Sequence, residues 1–184
     1  MEKKVSTPIT RDVVKDLNAG DIVKITGVIY TARDAAHKRM VETINAGAEL
    51  PISVKNLTIY FAGPTPAKPG EPIGSVGPTT SYRMDAYSPK LIELGQTAMI
   101  GKGARSQEVI DAMVEHGAVY FGAIGGAGAL ISECIKKCDV VAYEDLGAEA
   151  IHRLEVVDFP VTVIIDSKGN NLYETEPQKY RTVK

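Results

Sequence analysis

Strand-like and helix-like stretches alternate along this chain, and the alternation predicts an α/β fold. Runs rich in β-branched and aromatic residues, Ile22 to Tyr30 above all, are bounded by turn residues. Near the C-terminus, Val161 to Ile165 and Asn171 to Tyr173 flank Asp166-Ser167-Lys168-Gly169-Asn170, the pattern of a hairpin. The fold class is therefore α/β with some antiparallel content.

Taken in order, Thr10 is a good N-cap for a short helix ending near Asn18-Ala19-Gly20. Ile22 to Tyr30 is a strand, and Asp34 to Asn45 a helix closed by Gly47. Leu57 to Ala62 is a more buried strand. Thr80 to Tyr87 and Pro89 to Leu94 read as helices, with Pro89 opening the second. Ala98 to Ile100 is a short strand, followed by the turn Gly101-Lys102-Gly103. Ser106 N-caps a helix through Glu115, which Gly117 ends. Ala118 to Ala123 is a strand, Gly126 to Lys137 a helix, Asp139 to Tyr143 a strand, and Ala148 to His152 a short helix.

A length of 184 residues is of the order of one domain, so residues 1–184 are expected to form a single unit. The 21 Lys and Arg against 23 Asp and Glu leave a net charge of −2, with no electrostatic footprint for nucleic acid or an anionic membrane. No apolar run approaches the length of a membrane span, and none follows Met1 to Ser6, so the cytoplasm is the expected compartment. The two cysteines, Cys134 and Cys138, stand four apart in a stretch that reads as helix. Two thiols make neither a disulfide scaffold nor an unaided zinc or iron–sulfur site, so structural roles are expected.

Gly63 to Pro78 carries five prolines and four glycines in sixteen residues, and it can be neither helix nor central strand. A linker between two domains is the competing reading. Loops of this length inside compact domains are often functional, and the short flanks favour that.

Three glycine-rich stretches invite nucleotide readings. In Gly95 to Lys102 the glycines enclose five residues where a P-loop needs four, and Gly103 stands where Ser or Thr should bind Mg²⁺. Ala123 to Ala129 follows a strand and opens a helix, with Glu144 about twenty residues on, as a dinucleotide site would. Its third glycine is missing after Gly126 and Gly128. The third stretch ends the proline–glycine loop in Thr79-Thr80-Ser81-Tyr82-Arg83, where hydroxyls and Arg83 stand at a helix start, unfavourable for a cation unless it serves an anion. Thr31-Ala32-Arg33-Asp34 repeats that arrangement, and Lys102 follows a strand between two glycines. Each cation alone is an ordinary surface residue. Three at corresponding junctions, where α/β folds bind ligands, point to a small dicarboxylate that two guanidinium groups can grip.

At these residues the chain resembles the beta subunit of two-subunit class I fumarate hydratases, equivalent to the C-terminal domain of the single-chain enzymes. The resemblance runs from about Pro8 to Tyr173. It rests on Gly27 to Arg39, Ala62 to Gly70, Gly74 to Asp85, Met99 to Lys102, Tyr120 to Gly126, Tyr143 to Ala150 and Asp158-Phe159-Pro160. L-tartrate dehydratase beta subunits are similar through the Arg33 and GPTTS stretches.

The resemblance implies a three-layer swivelling β/β/α domain and reversible hydration of fumarate to L-malate. It implies a 4Fe-4S cluster whose three cysteine ligands belong to a partner alpha subunit, so that this chain alone binds none and works in a hetero-oligomer or a dimer. Arg33, Arg83 and Lys102 match substrate-carboxylate ligands, and Thr79 matches the proposed base for the C3 proton. A threonine hydroxyl is a poor base without an activating partner, and no carboxylate of this chain is an evident helper. Two other classes stay open: a nicotinamide-dependent oxidoreductase using Gly126, Gly128 and Glu144, and a non-catalytic dicarboxylate-binding module.

Overall fold

Seven strands and six α-helices make up the computed structural model, which describes residues 2–123 and 128–181. The strands are β1 (Glu2–Ser6), β2 (Ile22–Thr31), β3 (Thr58–Tyr60), β4 (Ala98–Gly101), β5 (Val119–Gly122), β6 (Ile135–Ala142) and β7 (Ile151–Ile165). The helices are α1 (Arg11–Lys15), α2 (Asp34–Asn45), α3 (Ser88–Glu93), α4 (Gln107–His116), α5 (Gly128–Glu133) and α6 (Leu172–Lys179). This is a mixed α/β protein with one sheet of parallel and antiparallel strands.

The pairings close on themselves. Strands β2, β3, β4 and β5 are parallel neighbours in that order. Strand β7 runs antiparallel to β5 through its last residues and antiparallel to β2 along most of its length, joining the two ends. The edge additions are β1, parallel to β2, and β6, antiparallel to β7.

Because side chains alternate across a strand, the sheet has two apolar faces. Tyr60, Ala98, Ile100, Val119 and Phe121 join Ile25, Ile29, Phe159 and Val163 in one cluster, to which only α1 and α5 contribute among the helices. Ile59, Phe61, Met99 and Tyr120 point the other way and pack with Ala36 and Met40 of α2, Leu91 and Ile92 of α3, and Val109 and Met113 of α4. Both faces of β3, β4 and β5 are buried, which is why those strands read as continuous apolar runs.

Several expected ends are where the sequence put them. The Thr10 hydroxyl accepts from Val13 N–H and the Ser106 hydroxyl from Val109 N–H. Gly117, at φ 77°, takes the left-handed turn that ends α4, and Gly47, at φ 73°, does the same one residue beyond the Ala46 C-cap of α2.

Other expectations fail for tertiary reasons. The helix expected over 126–137 is helical only in Gly128–Glu133; residues 124–127 lie outside the described residues. Ile135 onward becomes β6, because β7 supplies a partner with matching charge: Lys137 stands opposite Glu155 and Asp139 opposite Arg153. Cys134 and Cys138 therefore share no helix, although both are free and both pack against the first core cluster. The helix expected at 148–152 is a 3-10 turn, Glu144–Glu149, followed at once by β7. The terminal hairpin reduces to one bridge, Ile165 to Asn171, after which the Asn171 side chain caps α6 by accepting from Tyr173 N–H. Thr80 to Tyr87 contains only the 3-10 turn Ser81–Met84. Helix α1 stops at Lys15, short of the expected 18–20. Strand β1 and residues 153–160 of β7 had no secondary-structure reading in the sequence.

Candidate functional site

Strands β2, β3 and β4 end side by side, and the residues just past them build one cluster. Past β2, Ala32 N–H donates to the Tyr60 carbonyl at 3.1 Å, and Arg33 is the backbone N-cap of α2, whose first residue is Asp34. Past β3, Phe61 N–H donates to the Ile100 carbonyl at 2.8 Å, and the Phe61 carbonyl accepts from Thr79 N–H at 2.6 Å. The proline–glycine loop thus leaves the sheet just after Phe61 and returns to the same point. Past β4, Lys102 faces Thr80 in a parallel bridge, and Ser81 N–H donates to the Lys102 carbonyl at 2.8 Å. Arg33, Thr79, Lys102 and, two residues beyond Ser81, Arg83 all stand at this end of the sheet.

The loop is held by its neck. Thr65 N–H donates to the Ser75 carbonyl, and Ser75 N–H donates to the Thr65 hydroxyl. A Cβ at Gly74 would lie within 2.6 Å of Thr65 and Pro66 oxygens, so only glycine fits there. Ile73 and Val76 are buried, and Tyr60 donates its hydroxyl to the Val76 carbonyl. Residues 65–72 are exposed.

The two arginines meet carboxylates of this chain. Arg83 Nη2 lies 2.7 Å from Asp34 Oδ2. Arg33 Nε lies 3.8 Å from Glu149 Oε1, too long for a hydrogen bond, and is buried with no hydrogen-bond partner among the described residues. Its side chain lies over Gly63, where a Cβ would come within 3.1 Å of Arg33 Cδ. The other Asp34 oxygen is likewise buried without a partner among the described residues. One turn on, His37 is fully buried, and its Nδ1–H donates to the Arg33 carbonyl, an acceptor only. Burial pulls His37 down from 6.5 to about 4, so it is neutral at pH 7.

Behind the cluster sits a buried polar layer that sequence reading missed. Arg105 has no exposed side-chain surface; its Nε donates to Asp85 Oδ1 at 2.7 Å and Nη2 to Ser88 Oγ at 2.8 Å. Burial pulls Arg105 below its ordinary range, and Asp85 opposes this. Its guanidinium lies 5.2 Å from the Phe61 ring centroid and 5.0 Å from that of Tyr120. Asp85 also accepts from Ser106 N–H at the start of α4. Nothing in the sequence distinguishes Arg105, two residues after a glycine turn, from a surface arginine.

The dinucleotide reading needs β5 and the strand before Glu144 as parallel neighbours. That strand, β6, pairs antiparallel with β7 instead, and Gly126 lies outside the described residues. The arrangement does not fit a nicotinamide cofactor.

A model of the family described as "Fumarase C-terminus" matches residues 2–176 of this chain. The chain belongs to the fumarase C-terminus family. It is 46% identical over 154 residues to the anaerobic class I fumarate hydratase of Escherichia coli K12, covering 83% of this chain and 28% of that protein. With the mitochondrial fumarate hydratase 1 of Leishmania major it shares 41% identity over 158 residues, again 83% of this chain and 28% of that one. This family member thus spans a little over a quarter of those relatives. A putative L(+)-tartrate dehydratase subunit beta of Methanocaldococcus jannaschii is 39% identical over 177 residues, covering 93% of this chain and 91% of its own length.

The resemblance implies a 4Fe-4S cluster, so whether these residues could hold one matters. Among the described residues no group of three or more His, Cys, Asp and Glu side chains could hold a metal ion. Cys134 follows α5 while Cys138 lies within β6, and the Cys134 thiol donates to the Asp158 carbonyl at 3.8 Å. The described residues offer a cluster no cradle. Also among them, no helix is long and apolar enough to cross a membrane.

Proposed function

We propose that this chain is the beta subunit of a hydro-lyase that interconverts fumarate and L-malate, and that it supplies the groups that bind the substrate carboxylates. The observation carrying this reading is the convergence of Arg33, Thr79, Arg83 and Lys102 at the ends of three neighbouring parallel strands. Two guanidinium groups each suit one carboxylate, and Arg33 already carries an unpartnered, buried Nε. Lys102 neutralises the charge that builds on a carboxylate when C3 loses its proton. Thr79 takes that proton, assisted by an activating group from a partner. Its backbone N–H is fixed to the Phe61 carbonyl, which holds the residue where the loop returns to the sheet.

In this reading the 4Fe-4S cluster belongs to an alpha subunit, and the two chains form a cytoplasmic hetero-oligomer. The two apolar clusters, one with few helical contributors and one shared with α2, α3 and α4, support one three-layer swivelling β/β/α domain over 1–184. The pinned neck of 63–78, ending in Thr79, supports a functional loop rather than a linker.

Dehydration of L-tartrate is the second reading, favoured by the relative that this chain matches over nearly its whole length. The test is to mix the purified chain with a reconstituted cluster-bearing alpha subunit and follow fumarate hydration and tartrate dehydration side by side. Activity only in the mixture, with fumarate preferred, is the expected result. Activity of the chain alone overturns the subunit assignment. Dicarboxylate binding without turnover in the mixture makes the chain a binding module.

A further inference from the structure

Tyr120 lies on β5, on the face that packs with the helices. Its hydroxyl donates to the Gly103 carbonyl at 2.8 Å. A phenol has one proton, so the Ser81 hydroxyl, 2.8 Å away, must be the donor to Tyr120. Ser81 N–H in turn donates to the Lys102 carbonyl, and Lys102 is bonded to Gly103. The contacts form a closed circuit: Ser81 hydroxyl, Tyr120 hydroxyl, Gly103 carbonyl, Lys102 backbone, Ser81 N–H.

Each member of the circuit is constrained. Ser81 has no exposed surface, and its hydroxyl fills the space beside Gly101, where a Cβ would come within 2.0 Å of it. Gly103 adopts φ 86°, a left-handed turn that sets the direction of the chain leaving Lys102. The Tyr120 ring is covered by the Arg105 guanidinium, which is itself fixed by Asp85 and Ser88. Burial pushes the phenol above the ordinary tyrosine range, so it stays a donor throughout the physiological pH range.

We infer that Tyr120 is a positioning residue, whose hydroxyl sets the Thr79–Arg83 segment against Lys102 by joining Ser81 to Gly103. The inference rests on the proposed site. It adds that the spacing of Thr79, Arg83 and Lys102 is set from behind by a group that touches no substrate. Without the phenol oxygen, Ser81 and the Gly103 carbonyl lose a shared buried partner, and next to Lys102 the Thr80–Lys102 bridge with its Ser81 N–H bond is left without side-chain support from β5.

The test compares Tyr120→Phe with Thr97→Val in the chain assembled with its cluster-bearing subunit. Thr97 donates a buried hydroxyl bond to the Ile9 carbonyl just before β4, at the opposite end of that strand from Lys102. Tyr120→Phe loses two buried hydrogen bonds and Thr97→Val one, so both should lower Tm, Tyr120→Phe the more. Tyr120→Phe should reduce kcat/KM for L-malate at least tenfold, while Thr97→Val stays within twofold. In the full chain without its partner, amide hydrogen exchange over 79–85 should speed at least tenfold in Tyr120→Phe alone. Ser81→Ala should reproduce the loss, and the double variant should be no worse than either single one. Normal kcat/KM in Tyr120→Phe overturns the inference when Arg83→Met is inactive. Normal kcat/KM in both overturns the proposed site as well.

Discussion

Arg83 Nη2 and Asp34 Oδ2 lie 2.7 Å apart, so the helix start that follows β2 is linked to the turn that follows the proline–glycine loop. Asp34 is bonded in sequence to Arg33, and this one pair thereby brings both arginines to a common corner. The pair is half-exposed, where an ion pair adds little to stability, so its worth is in orientation. Arg83→Met should therefore lower kcat/KM of the assembled enzyme at least about a hundredfold, roughly 2.7 kcal/mol of transition-state stabilisation, with Tm nearly unchanged. Arg83→Lys should recover only part, because an ammonium cannot grip a carboxylate with two parallel bonds. Asp34→Asn should fall between wild type and Arg83→Met.

Thr79 is fixed by its backbone, which separates its hydroxyl from the fold. Thr79→Ser keeps an oxygen in place and should retain turnover. Thr79→Val should lose exchange of the C3 proton of L-malate with solvent, measured by NMR, while its urea midpoint stays close to wild type. Normal exchange in Thr79→Val would assign the base to another group.

The sequence made the corner legible and the layer behind it invisible, for a physical reason. Arg33 and Lys102 stand out because each follows a strand-like run and a hydroxyl or glycine, and Arg83 because it follows the proline–glycine loop and a run of hydroxyls, all local signals. Arg105, Asp85, Ser81 and Tyr120 act through contacts between residues 15 or more apart, and nothing local marks them. The same distinction explains the elements. Thr10, Ser106 and Gly117 set helix ends by local bonds and were readable. Strand β6 exists because β7 lies beside it, and its Lys137 and Asp139 find Glu155 and Arg153 only after folding.

His37 gives a pH signature for stability. Its ordinary value is 6.5 and its folded value about 4, so between these limits the unfolded chain binds more protons than the folded one. This contribution is complete above about 6.5 and is lost as pH falls toward 4, on the order of 3 kcal/mol over the window. The urea midpoint of wild type should fall steadily from pH 7 to pH 4.5. His37→Gln, less stable at pH 7, should show a flatter profile over that range. Parallel profiles would mean that His37 titrates normally in the folded chain.

Gly101 and Gly47 separate two reasons for a glycine. At Gly47 the backbone has φ 73° and nothing lies within 4 Å of an added Cβ, so Gly47→Ala meets strain but no collision. Its cost should be about 1–2 kcal/mol, with kcat/KM unchanged. At Gly101 an added Cβ would meet the Ser81 hydroxyl at 2.0 Å and Phe61 Cδ2 at 2.8 Å. Neither neighbour can yield freely: Ser81 is bonded to Tyr120 and Lys102, and Phe61 lies under Arg105 while its carbonyl holds Thr79. Overpacking of this kind costs about 1–3 kcal/mol, so the two variants should fall in a similar range of stability. Their activities should part. Gly101→Ala must push Ser81 and Phe61 away from β4, and with them the segment carrying Thr79 and Arg83, so kcat/KM should drop at least about tenfold. Equal kcat/KM in the two alanine variants would show that the 79–83 segment absorbs the displacement without moving the reacting groups.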